Sequence, residues 1–337
     1  MSIVWSLVII GGLVLLPLVG VEMVGLSGFF AIAVPYAAIL IFFAGLLRRV
    51  LIWGRAPVPF RIPTTCGQQR SLSWIKPARL DNPSTGLAAV GRMLLEVLTF
   101  RSLFRNTKAQ LKDGGKLVYG ADKYLWAAGL AFHWAFLFTF LRHYRYFVDP
   151  VPKIVSWVQS LDGFFQVGVP VIYATNIVLV GALAFLLLRR LRDPFLRYIS
   201  LPADYLPLLL ILAIATTGIL LRYVAKTDII AVKELAVGLV MFNPKVPQGI
   251  SPLFFVHLFL VCTLFAYLPF SKLMHMAGVF LSPTRNLANT NRMKRHVNPW
   301  DRPVNVHTYA EWEEEFHDKI VAAGLPLESS EAKSHGK

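Results

Sequence analysis

Four histidines lie inside two long apolar stretches, and their spacings are the part of this chain that could do chemistry. His133 and His143 are ten residues apart in WAAGLAFHWAFLFTFLRHYRYF, and His257 and His275 are eighteen apart in LFFVHLFLVCTLFAYLPFSKLMHMAGVFL. Ionisable groups are costly in an apolar setting and mark function there. Neutral imidazole is a metal ligand through either ring nitrogen. Two histidines on each of two helices predict two metal sites, each taking one imidazole from either helix, and haem is the obvious cargo. A membrane histidine can instead simply hydrogen-bond a neighbouring helix, but four of them paired by depth favour ligation. His296, His307, His317 and His335 fall in the polar C-terminal tail and read as solvated.

The elements that carry these residues belong to a membrane protein. The 337 residues are 55% hydrophobic and only 16% charged, with a mean hydropathy of +0.56, where a soluble domain carries about 25% charged residues. The net charge of +15 does not point to nucleic acid, which needs a basic face on a soluble fold. The basic residues flank apolar runs instead, as topology determinants do. Cys66 and Cys262 provide neither a C-x-x-C-H haem attachment nor an iron–sulfur or zinc set, and read as ordinary loop and core residues. Any haem must be held without covalent attachment.

A span needs about 20 apolar residues, and six segments qualify: 3–21, 26–47, 124–147, 164–188, 205–223 and 253–281. The first lacks a basic leader region and a small-residue cleavage site, so it reads as a retained helix. It forms a tight hairpin with the second around Glu22. The fold class is therefore all-α integral membrane, divided into an N-terminal hairpin (1–47), a basic loop (48–123), a four-helix core (124–281) and a tail (282–337). The loop 48–123 holds fourteen Lys/Arg against four acids, and the Arg189-Arg190-Leu191-Arg192 turn and the Lys294-Arg295 tail fall on its side of the membrane. The positive-inside rule puts all three, and both termini, in the cytoplasm.

Within the loop, Leu87, Val90, Leu94, Val97 and Leu98 recur at helical spacing with Arg92 and Glu96 offset, predicting an amphipathic helix over 84–104 on the membrane interface or against a partner. In the tail, Thr308-Tyr309-Ala310-Glu311 matches a capping box. Trp312, Phe316 and Ile320 then share a face up to a stop at Gly324.

The topology orders the four histidines. The helix at 124–147 runs outward and the one at 253–281 runs inward, so antiparallel pairing joins His133 to His275 near the cytoplasm and His143 to His257 near the outside. At 1.5 Å per residue the ligands rise ~15 Å on one helix and ~27 Å on the other. Tilt, ring orientation or a kink near Pro269 must absorb that mismatch. Eighteen residues are five whole turns, which places His257 and His275 on one helix face, while His133 and His143 diverge by roughly 80°. The orientation of the macrocycles is left open.

The ten and eighteen spacings, with Leu268-Pro269-Phe270-Ser271-Lys272-Leu273-Met274 before His275, resemble the gamma subunit family of respiratory nitrate reductase (NarI-like). That resemblance implies a dihaem cytochrome b bundle with two haem b groups on these four histidines and menaquinol or menaquinone as substrate. The added first helix, the basic loop and the tail around Asn291-Arg292-Met293 resemble instead the M subunits (DsrM) of the DsrMKJOP membrane complex of dissimilatory sulfur metabolism. This second resemblance implies an electron-transfer subunit of a bacterial or archaeal cytoplasmic membrane. Its partners would be a cytoplasmic iron–sulfur subunit (DsrK-like, similar to HdrD), further subunits like DsrJ, DsrO and DsrP and, indirectly, the carrier DsrC. Terminal sulfur chemistry would then belong to a partner.

The family's quinone-pocket lysine and glycine have no clear counterpart here. A quinone site needs a donor to its carbonyl and a proton path, for which Arg142, Arg145, Lys153, Asp162 and Arg222 are candidates. Each also reads as a snorkelling or topology-fixing charge. The alternatives are a cytochrome subunit of nitrate reductase or heterodisulfide reductase, a proton-coupled transporter with a histidine relay, or a haem-free structural anchor. The transporter would carry inverted repeats, and none is evident in the sequence.

Overall fold

The computed structural model describes residues 2–56, 67–163, 170–294, 297, 303 and 306–328. Cys66, Arg295, His296 and His335 lie outside them. Two compact units emerge, Met1–Met293 and Lys294–Lys337.

The first unit contains α1 (Ser2–Glu22), α2 (Val34–Arg55, entered through a π-helical turn at Phe29–Ala33), α3 (Gly86–Thr99), α4 (Arg101–Phe104) and a hairpin of β1 (Thr107–Lys112) and β2 (Lys116–Ala121). There follow α5 (Lys123–His143), α6 (Lys153–Asp162), α7 (Ala174–Arg192), α8 (Pro194–Ile199), α9 (Pro202–Tyr223), α10 (Ile229–Val240), α11 (Pro252–Tyr267) and α12 (His275–Leu281). The second unit holds α13 (Tyr309–Glu315) and α14 (His317–Ala322).

Among the described residues six helical segments, α1, α2, α5, α7, α9 and α11, are long and apolar enough to cross a membrane. Their outward surfaces carry Leu15, Leu16, Leu40, Phe43, Leu137, Phe140 and Ile177, all exposed. In water such a surface would aggregate, whereas against lipid tails it is simply solvated. The core lies between α5, α7, α9 and α11, where Ala135, Leu179, Leu183, Leu210, Val256 and Leu260 are buried together.

Two expected spans are revised. The helix expected over 164–188 is α7 and runs later, from Ala174 to Arg192; residues 164–169 lie outside the described chain, and 170–173 form a turn and an extended entry. The span expected over 253–281 is interrupted. α11 ends at Tyr267, a 3-10 turn spans Leu268–Phe270, Ser271 is extended, a second 3-10 turn spans Lys272–Met274, and α12 begins at His275. Pro269 lacks the amide needed to continue the ladder, and the Ser271 hydroxyl accepts from the Leu273 amide to start the next turn. α2 braces this break: Arg49 Nε donates to the Pro269 carbonyl at 3.2 Å. At Gly45 a methyl group would sit 2.7 Å from Pro269 Cβ, so only glycine allows the approach.

One end of the bundle is tied by ion pairs: Lys272–Asp204 at 2.6 Å, Arg189–Asp122 at 2.7 Å and Lys108–Asp193 at 3.2 Å. The loop between α2 and α5 is built over that end. Thr85 caps α3 by accepting from the Ala88 amide, and the helix stops at Phe100, whose φ of 52° is left-handed. The expected single helix over 84–104 is thus two, α3 and α4. The β-hairpin was not anticipated, although Asp113-Gly114-Gly115, with both glycines at positive φ, is a recognised turn signal.

α3 faces the opposite way from a soluble amphipathic helix. Its apolar residues Leu87, Val90, Leu94, Val97 and Leu98 are exposed. Arg92 instead donates to the Thr284 carbonyl, and Glu96 pairs with Arg285 at 2.5 Å. Trp126 and Trp134 of α5 donate to the carbonyls of Thr99 and Leu98. Burial opposes the charge on Glu96, but bonds from Ser102 and Arg285 outweigh it and hold the carboxyl below its usual range. Asp81 follows the same pattern: burial acts against its charge, and Arg105 and Arg101 prevail.

In the tail the capping box forms as expected, with Thr308 Oγ1 accepting from the Glu311 amide and Glu311 from the Thr308 amide. The helix is divided at Phe316, between α13 and α14, yet the Trp312 and Phe316 rings stay in contact at 5.7 Å and the Ile320 amide still donates to the Phe316 carbonyl; Ile320 is buried and Trp312 exposed. Gly324, at φ 68°, ends the segment. His307 and His317 are exposed.

Candidate functional site

The four histidines of the two apolar segments meet in the two pairs that antiparallel pairing predicts. The ring centroids of His133 and His275 are 5.9 Å apart, and those of His143 and His257 are 6.4 Å apart. A metal–imidazole bond is about 2 Å and a ring centre lies about 1 Å beyond its nitrogen, so one metal between two rings sets their centres about 6 Å apart. Both pairs meet that spacing.

The second ring nitrogens are committed in a way that suits ligation. His133 Nδ1 donates to the Gly129 carbonyl at 2.7 Å, His143 Nδ1 to the Thr139 carbonyl at 2.7 Å, and His275 Nδ1 to the Lys272 carbonyl at 3.0 Å. His257 Nδ1 lies 2.9 Å from Thr217 Oγ1 on α9. That hydroxyl directs its own hydrogen to the carbonyls of Ala213 and Ile214, so its oxygen accepts from the imidazole. With the proton on Nδ1 in all four rings, each Nε2 keeps its lone pair, as in most metal-ligating histidines. Among the described residues no cluster of three or more His, Cys, Asp or Glu could hold a metal. Two imidazoles alone suit a metal that brings its other ligands with it, as the iron of haem does.

The broken helix explains how unequal sequence spacings give matched depths. From His257 to the end of α11 at Tyr267 is ten residues, a rise of about 15 Å, the same as from His133 to His143. The seven residues Leu268–Met274 that remain before His275 form the two 3-10 turns and extended Ser271. His257 and His275 therefore do not share one helix face, because they sit on different helices.

Around the His133 pair, Phe100 and Phe132 approach His133 edge-on at 4.9 and 4.8 Å between centroids. The loop helix thus ends against His133, which the sequence did not signal.

Beside His143 three of the five expected quinone-site residues are drawn into one buried network. Arg142 Nε pairs with Asp162 at 2.7 Å, with both side chains nearly inaccessible. Arg142 also donates to Thr175 and Asn176 and stacks 3.8 Å over the Tyr173 ring. Asp162 accepts from the Thr175 amide and hydroxyl. Arg222 reaches the same tyrosine ring at 4.4 Å and donates to the Val171 carbonyl, as does Tyr223 Oη. These contacts join α5, α6, α7 and α9 and leave Arg142 and Asp162 committed to each other. Arg145 instead donates to Gln159 at 2.6 Å. Lys153 is exposed at the start of α6, about 13 Å along that helix from Asp162. Thr175, Asn176 and Tyr173 carry no sequence signal of their own, because cross-helix bonding has no local pattern.

The chain is similar to known proteins. Residues 101–295 match the family model described as nitrate reductase gamma subunit. A protein of Archaeoglobus fulgidus named Hdr-like menaquinol oxidoreductase cytochrome b-like subunit is 44% identical over 284 residues, covering 82% of this chain and 84% of that protein. A protein of the same name from Archaeoglobus profundus is 42% identical over 276 residues, covering 80% and 82%. The family model takes in all four paired histidines and the broken helix between the last two, and on that match the chain belongs to the nitrate reductase gamma subunit family of membrane cytochromes.

Proposed function

We propose that this chain is a dihaem cytochrome b subunit that carries electrons between menaquinol and a cytoplasmic iron–sulfur partner. The observation that carries the reading is the pair of cross-helix imidazole couples at 5.9 and 6.4 Å, each ring with Nδ1 hydrogen-bonded and Nε2 free. His133 and His275 would hold the inner haem b, and His143 and His257 the outer one. Haem held by two imidazoles supplies one-electron transfer with no open iron position for oxygen chemistry.

The chain's own residues do the rest. α5, α11 and α12 hold the imidazoles, Phe100 and Phe132 shield the inner pair, and the Arg142–Asp162 network fixes the helix ends around the outer pair. With Arg142, Asp162 and Arg222 engaged in that network, Arg145, itself bonded to Gln159, and exposed Lys153 are the quinone-facing groups: each is a cation that can donate a hydrogen bond to a quinone carbonyl. The basic 48–123 loop and both termini lie in the cytoplasm by the positive-inside rule. The partner meets the cap of α3, α4 and the β-hairpin over the inner pair.

The relatives' shared name, an Hdr-like menaquinol oxidoreductase subunit, favours a complex containing an HdrD-like or DsrK-like partner over nitrate reductase itself. The added N-terminal helix and the long loop favour a DsrM-type subunit of sulfur metabolism, which would work alongside DsrJ-, DsrO- and DsrP-like subunits and the carrier DsrC.

The test is the reduced-minus-oxidised spectrum and haem-to-protein ratio of the purified chain, followed by addition of a menaquinol analogue. Two haems per chain, one reduced by the quinol, are expected. A colourless protein would end the reading and leave the transporter or structural anchor.

A further inference from the structure

The four ligand candidates are not held alike. Three of them hand their Nδ1 proton to a backbone carbonyl three or four residues earlier in their own segment. His257 alone is met by a side chain on another helix, the Thr217 hydroxyl at 2.9 Å, with the Ile214 backbone of the same helix as a second partner. The next residue on α9 completes the fit: at Gly218 a methyl group would lie 3.2 Å from His257 Cε1 and 3.7 Å from Nδ1. The imidazole therefore rests close on the α9 backbone, and a side chain at residue 218 would push it back by a few tenths of an ångström. Thr217 is itself buried, so water does not compete for its oxygen.

We propose that Thr217-Gly218 is a positioning seat for His257, setting the plane and the donor strength of this one ligand independently of the other three. The proposal rests on the haem reading above. The bond direction is the one ligation requires. If the threonine donated to Nδ1 instead, the imidazole proton would sit on Nε2 and no lone pair would face His143.

A donated Nδ1–H makes an imidazole more electron-rich, and such outer hydrogen bonds typically account for 10–100-fold in metal affinity. Because the acceptor is a side chain, it can be removed without disturbing a helix ladder, which is not possible for the other three ligands. The 22° angle between the His143 and His257 rings is then also a property of this seat, since α9 and not α11 fixes the His257 plane.

The experiment uses the full-length chain purified with its haem. Redox titration and low-temperature EPR are compared for wild type, Thr217→Val, Thr217→Ser and Gly218→Ala, with the His133–His275 haem as control in the same molecule. Thr217→Val is expected to raise the midpoint of the His143–His257 haem by up to about 59 mV, a tenfold change for a one-electron couple, or to lower that haem's occupancy selectively. Thr217→Ser should restore both. Gly218→Ala should shift the EPR g-values of the same haem by turning the ring, leaving the control signal in place. The inference is overturned if Thr217→Val leaves that haem's potential and occupancy unchanged, or if Thr217→Ser behaves like Thr217→Val. Should Thr217→Val bind no haem at all, Gly218→Ala decides: an unmoved EPR signal refutes the seat. A wild-type protein without haem would refute the underlying reading instead.

Discussion

His143 and His257, more than a hundred residues apart in sequence, stand with ring centres 6.4 Å apart and planes only 22° from parallel. Neither residue's own helix dictates that. His143 is fixed by the Thr139 carbonyl of α5 and His257 by a hydroxyl of α9, so a third helix orients one of the two rings. The His133–His275 couple is closer, at 5.9 Å, but its planes are 77° apart. Two sites of the same composition thus differ in geometry.

Single substitutions should separate the two sites. His143→Ala or His257→Ala is expected to lower the haem content from two per chain to one and abolish reduction by menaquinol analogues. His133→Ala or His275→Ala should leave the quinol-reducible haem but block transfer onward. A haem-to-protein ratio that stays at two in any of these variants contradicts the assignment of that histidine.

The Arg142–Asp162 pair should be structural. Breaking a buried ion pair on one side strands the other charge, at about 3–5 kcal/mol. Asp162→Asn should therefore lower the unfolding midpoint in detergent markedly, and Arg142→Met combined with Asp162→Leu should recover part of the loss. A single variant that melts like wild type but loses quinol reduction would instead return Arg142 or Asp162 to the quinone pocket.

Gly45 should matter for the inner pair only. A side chain there would press on Pro269 and Phe270, displacing the break that brings His275 into place. Gly45→Val is expected to cost about 1–3 kcal/mol as overpacking and to perturb the spectrum of the His133–His275 haem. Equal disturbance of both haems would mean general loosening of the bundle.

The loop cap should loosen in acid. Against burial, the Glu96 carboxyl is held below its usual range by Ser102 and Arg285, so it binds protons more weakly folded than unfolded. Its contribution is complete above the unfolded carboxylate range, about pH 4.3, and is lost as pH falls through the lower folded value. Hydrogen exchange in residues 86–104 should accelerate over that window, and Glu96→Gln should exchange faster already at pH 7. Unchanged exchange across the window would remove Glu96 from the cap's support.

The sequence by itself determined that this is a six-span membrane protein, that four histidines fall in or beside its apolar segments, and which histidine meets which. Those conclusions rest on local quantities: runs of apolar residues, loop charges and residue counts along a helix. Only the tertiary structure decided that the last span breaks after Tyr267, so that an eighteen-residue spacing matches a ten-residue one. It likewise decided that Arg142, Asp162 and Arg222 share one buried network, and that Thr217 and Gly218 hold His257. Those facts depend on contacts between helices distant in sequence. A proline in a span is tolerated or breaks the helix according to what its neighbours supply, and a buried charge is paired by whichever helix packs beside it. Neither can be read from one segment alone.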